Sequence, residues 1–245
     1  MTSMINKIAL VTGANKGIGF ETARQLGQAG CHVILAGRNL PAVAQAAAAL
    51  AGDGIDAEAL VLDVTNSASI VAAAAAVSRS HPRLDVLVNN AGIMLDAFDK
   101  APSQQSIEVW RRTFDTNLFG LVEVTQAFLP LLRRASAARI VNVSSILGSL
   151  GANLDPASTF YDFKIPAYNV AKAAVNAWTI HLAYELRDTP IKVNAAHPGF
   201  VKTDLHGVDA PLSPAEGART SVRLAMLPED GPSGGFFHGA QAQPW

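Results

Sequence analysis

A regular alternation of short apolar runs with longer helical stretches constrains the fold of this chain more than any other feature. The apolar runs predict strands, and each is followed by a stretch typical of a helix. The predicted strands cover residues 7–11, 32–36, 57–62, 84–89, 139–143 and 191–196, with a short last strand within 234–238. Strands that are apolar on both faces and separated by helices indicate a parallel sheet covered on both sides.

The 245 residues contain no linker, repeat or low-complexity tract, so we expect one domain spanning 1–245. The predicted fold is α/β: a single-domain, Rossmann-type, doubly wound parallel β-sheet flanked by helices on both faces. Two long helical regions are expected, over 106–135 and 167–187. The segment 148–166, rich in glycine, proline and aromatic residues, interrupts the rhythm and is interpreted as a functional insertion.

Charge and composition exclude several classes of partner. The formal net charge is −1 and no long run of lysine or arginine occurs, which argues against nucleic acid and anionic membrane. The apolar runs are too short to span a bilayer, and the N-terminus lacks the apolar core of a secretory signal. Cys31 is the only cysteine, which excludes an internal disulfide; we interpret it as a small buried hydrophobe. We therefore expect a cytoplasmic protein that acts on a small molecule.

The stretch "VTGANKGIGF", residues 11–20, places three glycines where the first strand meets the first helix. A helix N-terminus offers free N–H groups, and glycines let a ligand approach the backbone, so this loop suits a pyrophosphate. A plain turn is the alternative. The loop lacks the Lys-Ser/Thr pair of a P-loop, which argues against a phosphoryl-transfer enzyme.

Positive charge beside the loop favours NADP(H) over NAD(H). The second strand ends in "ILAGRN", without the carboxylate that binds an unphosphorylated ribose. Arg38 lies there instead, and Lys16 lies among the glycines; two cations suit a 2′-phosphate. Both could also be ordinary solvated side chains. Asp63, after the third strand, is predicted either to meet the adenine or to cap the next helix, and the sequence favours neither.

A tyrosine and a lysine four residues apart in "YNVAK" carry the predicted chemistry. On a helix, Tyr168 and Lys172 share one face, so the ammonium is expected to lower the pKa of the phenol. A serine of the pair at 144–145 can then hold a carbonyl oxygen while the tyrosine protonates it. A second pair, Tyr161 with Lys164, is separated from this helix by Pro166 and is interpreted as a loop or pocket pair. No histidine or cysteine spacing typical of a metal site occurs, so no metal is expected.

Six motifs in a fixed order extend over nearly the whole chain. They are "TGANKGIG" at 12–19, "NNAG" at 89–92, "TNLFG" at 116–120, "IVNVSS" at 140–145, "YNVAK" at 168–172 and "HPGFVKTD" at 197–204. Together they resemble the single-domain type of short-chain dehydrogenase/reductase. The resemblance implies hydride transfer between a nicotinamide cofactor and a carbonyl or alcohol.

The resemblance also assigns roles to residues. It implies that Ser145, with Ser144 as competitor, positions the carbonyl, that Tyr168 is the acid–base group and that Asn117 holds a proton-relay water. Lys172 would lower the tyrosine pKa and bind the nicotinamide ribose. The expected NADPH-binding residues are Gly13, Asn15, Lys16, Gly17, Ile18, Gly19, Arg38, Asp63, Val64, Asn90, Ala91, Gly92, Tyr168, Lys172, Pro198, Gly199, Val201 and Thr203.

Ser145 and Tyr168 are farther apart than in most members of that family, and a long insertion here resembles the carbonyl reductase branch. In that branch the insertion tends to cover the face used for assembly, which favours a monomer while leaving a dimer or tetramer open. Enoyl reductases carry their tyrosine six residues before the lysine; Pro166 occupies that position, which argues against their chemistry.

Three segments, 93–98, 146–166 and 200–212, are expected to build the substrate pocket. Their apolar residues favour a hydrophobic ketone or aldehyde, although Asp96, Asp155, Asp162 and Lys164 could reach in. The expected apolar lining is Met94, Leu95, Phe98, Ile146, Leu147, Phe160, Tyr161, Phe163, Leu205 and Val208. The alternative is an idle NADPH-binding sensor or scaffold, against which the intact set of four catalytic residues argues.

Overall fold

The computed structural model describes residues 4–205 and 209–245, in which eight strands form one sheet. The strands are β1 (Ile8–Thr12), β2 (His32–Gly37), β3 (Ala57–Val61), β4 (Val86–Asn89), β5 (Arg139–Val143), β6 (Lys192–Ala196), β7 (Phe236–His238) and β8 (Gln241–Ala242). Their order is β3-β2-β1-β4-β5-β6-β7-β8. Every neighbouring pair is parallel except β7 with β8. The predicted fold is confirmed; the antiparallel β8 was not expected.

Helices cover both faces of this sheet. Those within the described residues are α1 (Gly17–Gln28), α2 (Leu40–Gly52), α3 (Ser67–Ser80), α4 (Ile107–Phe114), α5 (Gly120–Leu132), α6 (Leu150–Leu154), α7 (Pro166–Glu185) and α8 (Pro214–Ala225). The helical region expected over 106–135 consists of α4 and α5 joined by a π-helical turn, Asp115–Phe119. A 3₁₀ turn, Ile146–Gly148, leads into the insertion, which contains α6.

Two apolar layers hold the helices against the sheet. Successive side chains of a strand point to opposite faces, so neighbouring residues enter different layers. In one layer, Leu10 and Ile140 belong to the same cluster as residues of α3, α5 and α7, including Phe128. In the other, Val11 and Val141 belong to the same cluster as residues of α1, α2 and α8. This double covering explains why the strand sequences are apolar throughout.

Two further expectations concern single features of the chain. Cys31 is 2% exposed, and burial raises the pKa of its thiol to about 12, so it is a buried, unreactive side chain as predicted. Among the described helices, none is long and apolar enough to cross a membrane.

Candidate active site

A cleft of about 660 Å³ lies at the carboxyl ends of the parallel strands. The order of the strands reverses between β1 and β4, and ligands of open α/β sheets bind at such a switch point. The lining comes from the segments that follow β1 to β6. It includes every residue that the sequence assigned to the cofactor, from Gly13 to Thr203. Ser144, Tyr168 and Lys172 lie on its wall, whereas Asn117 and Ser145 are not among the residues that line it.

The glycine loop takes a shape that side chains would disturb. Gly13 and Gly17 have positive φ angles, of 63° and 61°. A Cβ atom on Gly19 would lie 2.4 Å from the carbonyl oxygen of Gly13 and 2.5 Å from Nδ2 of Asn90. The three glycines therefore allow the first turn of α1 to approach the end of β4 closely.

The N-terminus of α1, unlike those of most of the described helices, has no side-chain cap. The side chains of Asn39, Asn66, Ser106 and Ser213 cap α2, α3, α4 and α8. Lys16, which occupies the same position before α1, makes no side-chain capping hydrogen bond. Uncapped N–H groups facing a cleft can bind an anion, and the positive end of the helix dipole favours it.

Thr12 and Asn90 join the glycine loop to the end of β4. The hydroxyl of Thr12 accepts the N–H groups of Asn90 and Ala91, both at 3.0 Å. The amide of Asn90 donates to the carbonyl oxygens of Thr12 at 2.9 Å and Gly13 at 3.2 Å. Thr12 was missed at the sequence level, where only its place before Gly13 could have pointed to it.

The two cations expected beside the cofactor differ in their surroundings. Arg38 is exposed at the cleft and forms no ion pair within residues 4–205 and 209–245. Lys16 forms an ion pair with Asp204, which also lines the cleft. The sequence argument counted the two cations and overlooked this carboxylate. Arg38 is therefore the cation that remains available to a phosphate.

Asp63 does not cap the following helix, so that alternative is wrong. Asn66 caps α3, because its side chain accepts the N–H of Ser69 at 3.1 Å. The carboxylate of Asp63 instead accepts the N–H and the hydroxyl of Thr65, at 2.9 and 2.8 Å, and the residue lines the cleft.

Tyr168 and Lys172 are both buried, and burial dominates their ionisation. Desolvation raises the pKa of Tyr168 to about 12, opposed by a hydrogen bond with the Ser145 side chain. Desolvation lowers the pKa of Lys172 to about 8, and its Nζ donates to the carbonyl oxygen of Val143 at 2.7 Å. The pKa of the phenol therefore shifts upward in this structure, opposite to the direction expected from Lys172, whose Nζ lies 5.6 Å from the centre of the ring.

The two adjacent serines have different partners. Ser144 donates its hydroxyl to Oδ1 of Asn176 at 2.6 Å, and it lies 3.3 Å from the carbonyl oxygen of Lys172. The side chain of Ser145 opposes the rise that burial causes in the pKa of the Tyr168 phenol, and it accepts the N–H of Leu147 at 3.2 Å. This arrangement ties Ser144 to the packing of α7 and leaves Ser145 beside the phenol.

Asn117 lies fully buried in the π-helical turn between α4 and α5. Its Oδ1 accepts the N–H of Ile93 and its Nδ2 donates to the carbonyl oxygen of Ile93, both at 2.8 Å. A Cβ atom on Gly92 would lie 3.4 Å from Asn117 Oδ1 and 3.7 Å from Lys172 Nζ. Asn117 thus fixes the main chain after β4 next to the lysine. π-Helical turns are common at functional sites.

Asp96 does not line the cleft, contrary to the expectation, and borders a separate smaller pocket instead. Its carboxylate accepts the N–H of Ala167 at 2.8 Å and that of Tyr168 at 3.2 Å, so it caps α7. Ile165, the residue before this helix, provides no side-chain cap. The sequence signal was weak, because the capping residue lies 72 positions before the tyrosine whose N–H it accepts.

The expected substrate pocket is only partly assembled in the cleft. Met94, Leu95 and Leu205 line it, and Phe160 packs behind them. Ile146 and Leu147 are buried in the interior, while Phe98 and Phe163 are exposed. Val208 lies outside the described residues.

The charged residues of the insertion also lie outside the cleft. Asp162 and Lys164 border a separate pocket of about 160 Å³, and Asp155 accepts the N–H of Ala157 on the surface. Lys164 Nζ lies 4.6 Å from the centre of the Tyr161 ring. This second tyrosine–lysine pair precedes α7, as expected, and does not line the cleft.

Comparison with known proteins places this cleft in a family. The family profile described as short chain dehydrogenase matches residues 7–211. Carbonyl reductase [NADPH] 1 of Mus musculus is 36% identical, covering 97% of this chain and 98% of its own. (−)-Isopiperitenone reductase of Mentha piperita is 34% identical, covering 95% and 96%. A short chain dehydrogenase of Escherichia coli CFT073, solved in complex with NADPH, is 28% identical with a TM-score of 0.85, covering 98% and 99%. The chain belongs to the short-chain dehydrogenase family, whose members are oxidoreductases.

Proposed function

We propose that this chain catalyses reversible reduction of a hydrophobic ketone or aldehyde to an alcohol with NADPH. One observation carries the proposal: Tyr168, whose pKa responds to the neighbouring Ser145 side chain, lies on the cleft that the glycine loop also lines. An acid and a carbonyl-binding hydroxyl beside a dinucleotide site are what carbonyl reduction requires.

The cleft residues fit NADPH. The uncapped N-terminus of α1 suits the pyrophosphate, and Arg38 suits the 2′-phosphate because its charge has no acidic partner in the described chain. Asp63 and Val64 line the cleft where the adenosine half would lie, and Pro198 to Thr203 line it after β6. Bound there, NADPH supplies the hydride.

The roles of the catalytic residues follow from their ionisation and contacts. Ser145 would hold the carbonyl oxygen of the substrate, and Tyr168 would then donate its phenolic proton to that oxygen. Burial raises the pKa of Tyr168 to about 12, which keeps it protonated at neutral pH, the form that reduction needs. Lys172 would bind the nicotinamide ribose, and Asn117 would hold the water that returns the proton.

The substrate class is inferred from the wall next to Tyr168. Met94 and Leu205 pack against the buried cluster that contains Tyr168, and Leu95 lines the same cleft. An apolar wall with few polar groups favours hydrophobic carbonyl compounds. The named carbonyl reductase and isopiperitenone reductase relatives support the same class.

The proposal includes a monomer. The insertion is fixed to α7, since the amide of Asn169 donates to the carbonyl oxygen of Phe163 at 2.8 Å and to Oδ1 of Asn153 at 3.3 Å. These contacts occupy the first turn of α7 and oppose docking of a second copy there, whereas Ile180 and Tyr184, farther along the helix, are exposed. Sedimentation equilibrium tests this part, and a dimer mass would refute it.

Tyr168→Phe tests the catalytic assignment, with Tyr161→Phe as the matched control. Consumption of NADPH should fall by about 100-fold or more in the first variant, because the proton donor is lost. Binding of NADPH should change little in either variant. If Tyr168→Phe turned over ketones as fast as Tyr161→Phe, the role of Tyr168 would be wrong. A wild-type chain that binds NADPH and reduces no member of a ketone and aldehyde panel would favour the scaffold alternative.

A further inference from the structure

Two histidines and a glutamate converge at the amino end of the sheet, away from the cleft. His32 begins β2, Glu58 lies in the outermost strand β3, and His81 follows α3. One ligand atom of each lies within 4.8 Å of the other two. The cleft begins at Gly37, roughly 16 Å farther along β2. This cluster is therefore separate from the proposed catalytic site.

The fold itself creates the cluster. Glu58 pairs with Ile34, two residues after His32, so both side chains project from the same face of the sheet. Helix α3 packs on that face through Ile70 and Val77. Its C-terminal cap is His81, whose ring centre lies 5.0 Å from that of His32.

The Nε2 atom of His32 faces the interior of the cluster. Nδ1 of His32 lies 3.0 Å from Oδ2 of Asp56, which favours a proton on Nδ1 and leaves a lone pair on Nε2. That Nε2 atom is buried and finds no hydrogen-bond partner in the described part of the chain. It faces Oε1 of Glu58 at 3.7 Å. Carboxylates that orient histidines in this way are typical of metal sites.

The distances suit one small cation. Ligand atoms on a tetrahedral Zn²⁺ are separated by about 3.3 Å, given metal–ligand bonds of about 2.0–2.2 Å. Here Glu58 Oε1 lies 3.7 Å from His32 Nε2 and 2.8 Å from His81 Nε2, so small side-chain rotations would equalise them. The side chain of Glu58 is 40% exposed, against 20% and 14% for the histidines, which leaves an entry path from solvent.

We propose that His32, Glu58 and His81 bind a divalent first-row transition ion of the zinc type, with Asp56 orienting His32. Two imidazoles and one carboxylate select such ions over Mg²⁺ or Ca²⁺, which require oxygen ligands. The ion joins the outermost strand β3 to β2 and to the end of α3. By linking these three elements, the bound ion raises the thermal stability of the folded chain.

Calorimetric titration of the tag-free, metal-stripped full chain with Zn²⁺ tests the site. We expect one equivalent to bind, and His81→Gln and Glu58→Gln to weaken binding by about tenfold or more. The matched control is His181→Gln, at an exposed position of α7, which should bind as the wild type does. Failure of the wild type to bind Zn²⁺, or equal affinity in all four proteins, would overturn the proposal.

A second measurement does not depend on whether the variants fold. Crystals of the wild type grown with Zn²⁺ should show an anomalous scattering peak about 2.0–2.2 Å from the three ligand atoms. A peak that avoids His32, Glu58 and His81 would refute the assignment. Neither test uses catalytic turnover, so each can fail while the proposed reductase activity stands.

Discussion

The buried carboxylate of Asp96 accepts the backbone N–H of Tyr168, the residue proposed to donate the proton. The same carboxylate accepts the N–H of Ala167 at 2.8 Å, and both Asp96 and Tyr168 are less than a tenth exposed. A negative charge at the N-terminus of α7 also complements the helix dipole. Asp96 thus fixes both the start of the helix and the position of the tyrosine within it.

Asp96→Ala should destabilise the protein and slow turnover. Two N–H groups lose a charged acceptor in a buried place, which costs about 1–3 kcal/mol in the free energy of unfolding. Urea unfolding measures this loss. We expect kcat to fall more than NADPH affinity, because Tyr168 loses its support. Asp99→Ala, at an exposed position nearby, is the control and should resemble the wild type; a similar loss in both variants would contradict the capping role.

Lys172→Met should stabilise the protein while removing activity. Burial lowers the pKa of Lys172 from its ordinary value of 10.5 to about 8. Keeping the buried lysine protonated at neutral pH therefore lowers the free energy of unfolding by roughly 3 kcal/mol. The unfolded chain holds this proton up to a higher pH than the folded chain does. Wild-type stability should therefore rise between pH 8 and 10.5 relative to the variant.

Denaturant unfolding at several pH values checks this prediction. The gain in the free energy of unfolding from Lys172→Met should be greatest below pH 8 and should disappear only above pH 10.5, where the folded and unfolded chains have both lost the proton. The exposed Lys100→Met provides the comparison, with no such pH-dependent difference. If the free energies of unfolding of Lys172→Met and the wild type differed by the same amount at every pH, burial would not destabilise the charged form of Lys172.

Arg38→Ala should reduce the preference for NADPH over NADH. A charge-assisted hydrogen bond to a phosphate contributes about 1.5–3 kcal/mol, so the dissociation constant for NADPH should rise about 10- to 100-fold. The constant for NADH should change little, since it lacks the 2′-phosphate. Fluorescence titration with each dinucleotide gives the ratio of the two dissociation constants. Arg79→Ala, at an exposed position, is the control. Equal weakening of NADPH and NADH would contradict the assignment of Arg38.

Gly19→Ala should disrupt the glycine loop without any change in charge. The new Cβ atom would meet the backbone oxygen of Gly13 at 2.4 Å, so the loop must shift. We expect a loss of about 1–3 kcal/mol in the free energy of unfolding, together with weaker binding of NADPH. Gly52→Ala is the matched control, because nothing lies within 4 Å of its Cβ position. If both variants bound NADPH equally well, the close packing of the loop would be unimportant.

The architecture was accessible from sequence because its signals are local. Apolar strands alternating with helices predict the parallel sheet, and three glycines close to the junction of β1 with α1 predict the loop at its edge. Strand β8 escaped prediction, since its two residues are exposed and carry no apolar pattern. The π-helical turn that contains Asn117 likewise has no periodicity of its own to distinguish it from the helices around it.

The polar contacts that shape the site could not be predicted from the sequence, because each joins residues that are distant along the chain. Asp96 looked like a pocket residue and proved to be the cap of α7. Asp204 was not considered as a partner of Lys16. The proximity of Tyr168 to Lys172 was foreseen, but burial, which no local pattern reports, sets the direction of their pKa shifts.

The sequence by itself determined which elements form and which residues gather at the carboxyl ends of the strands, because hydrophobic period and chain order depend on neighbouring residues. Only the tertiary structure decided which polar groups are desolvated and which partners they meet. His32, Glu58 and His81 show this most plainly: they share no motif, yet strand pairing and the packing of α3 bring their ligand atoms together. Desolvation and through-space distance are properties of the packed chain.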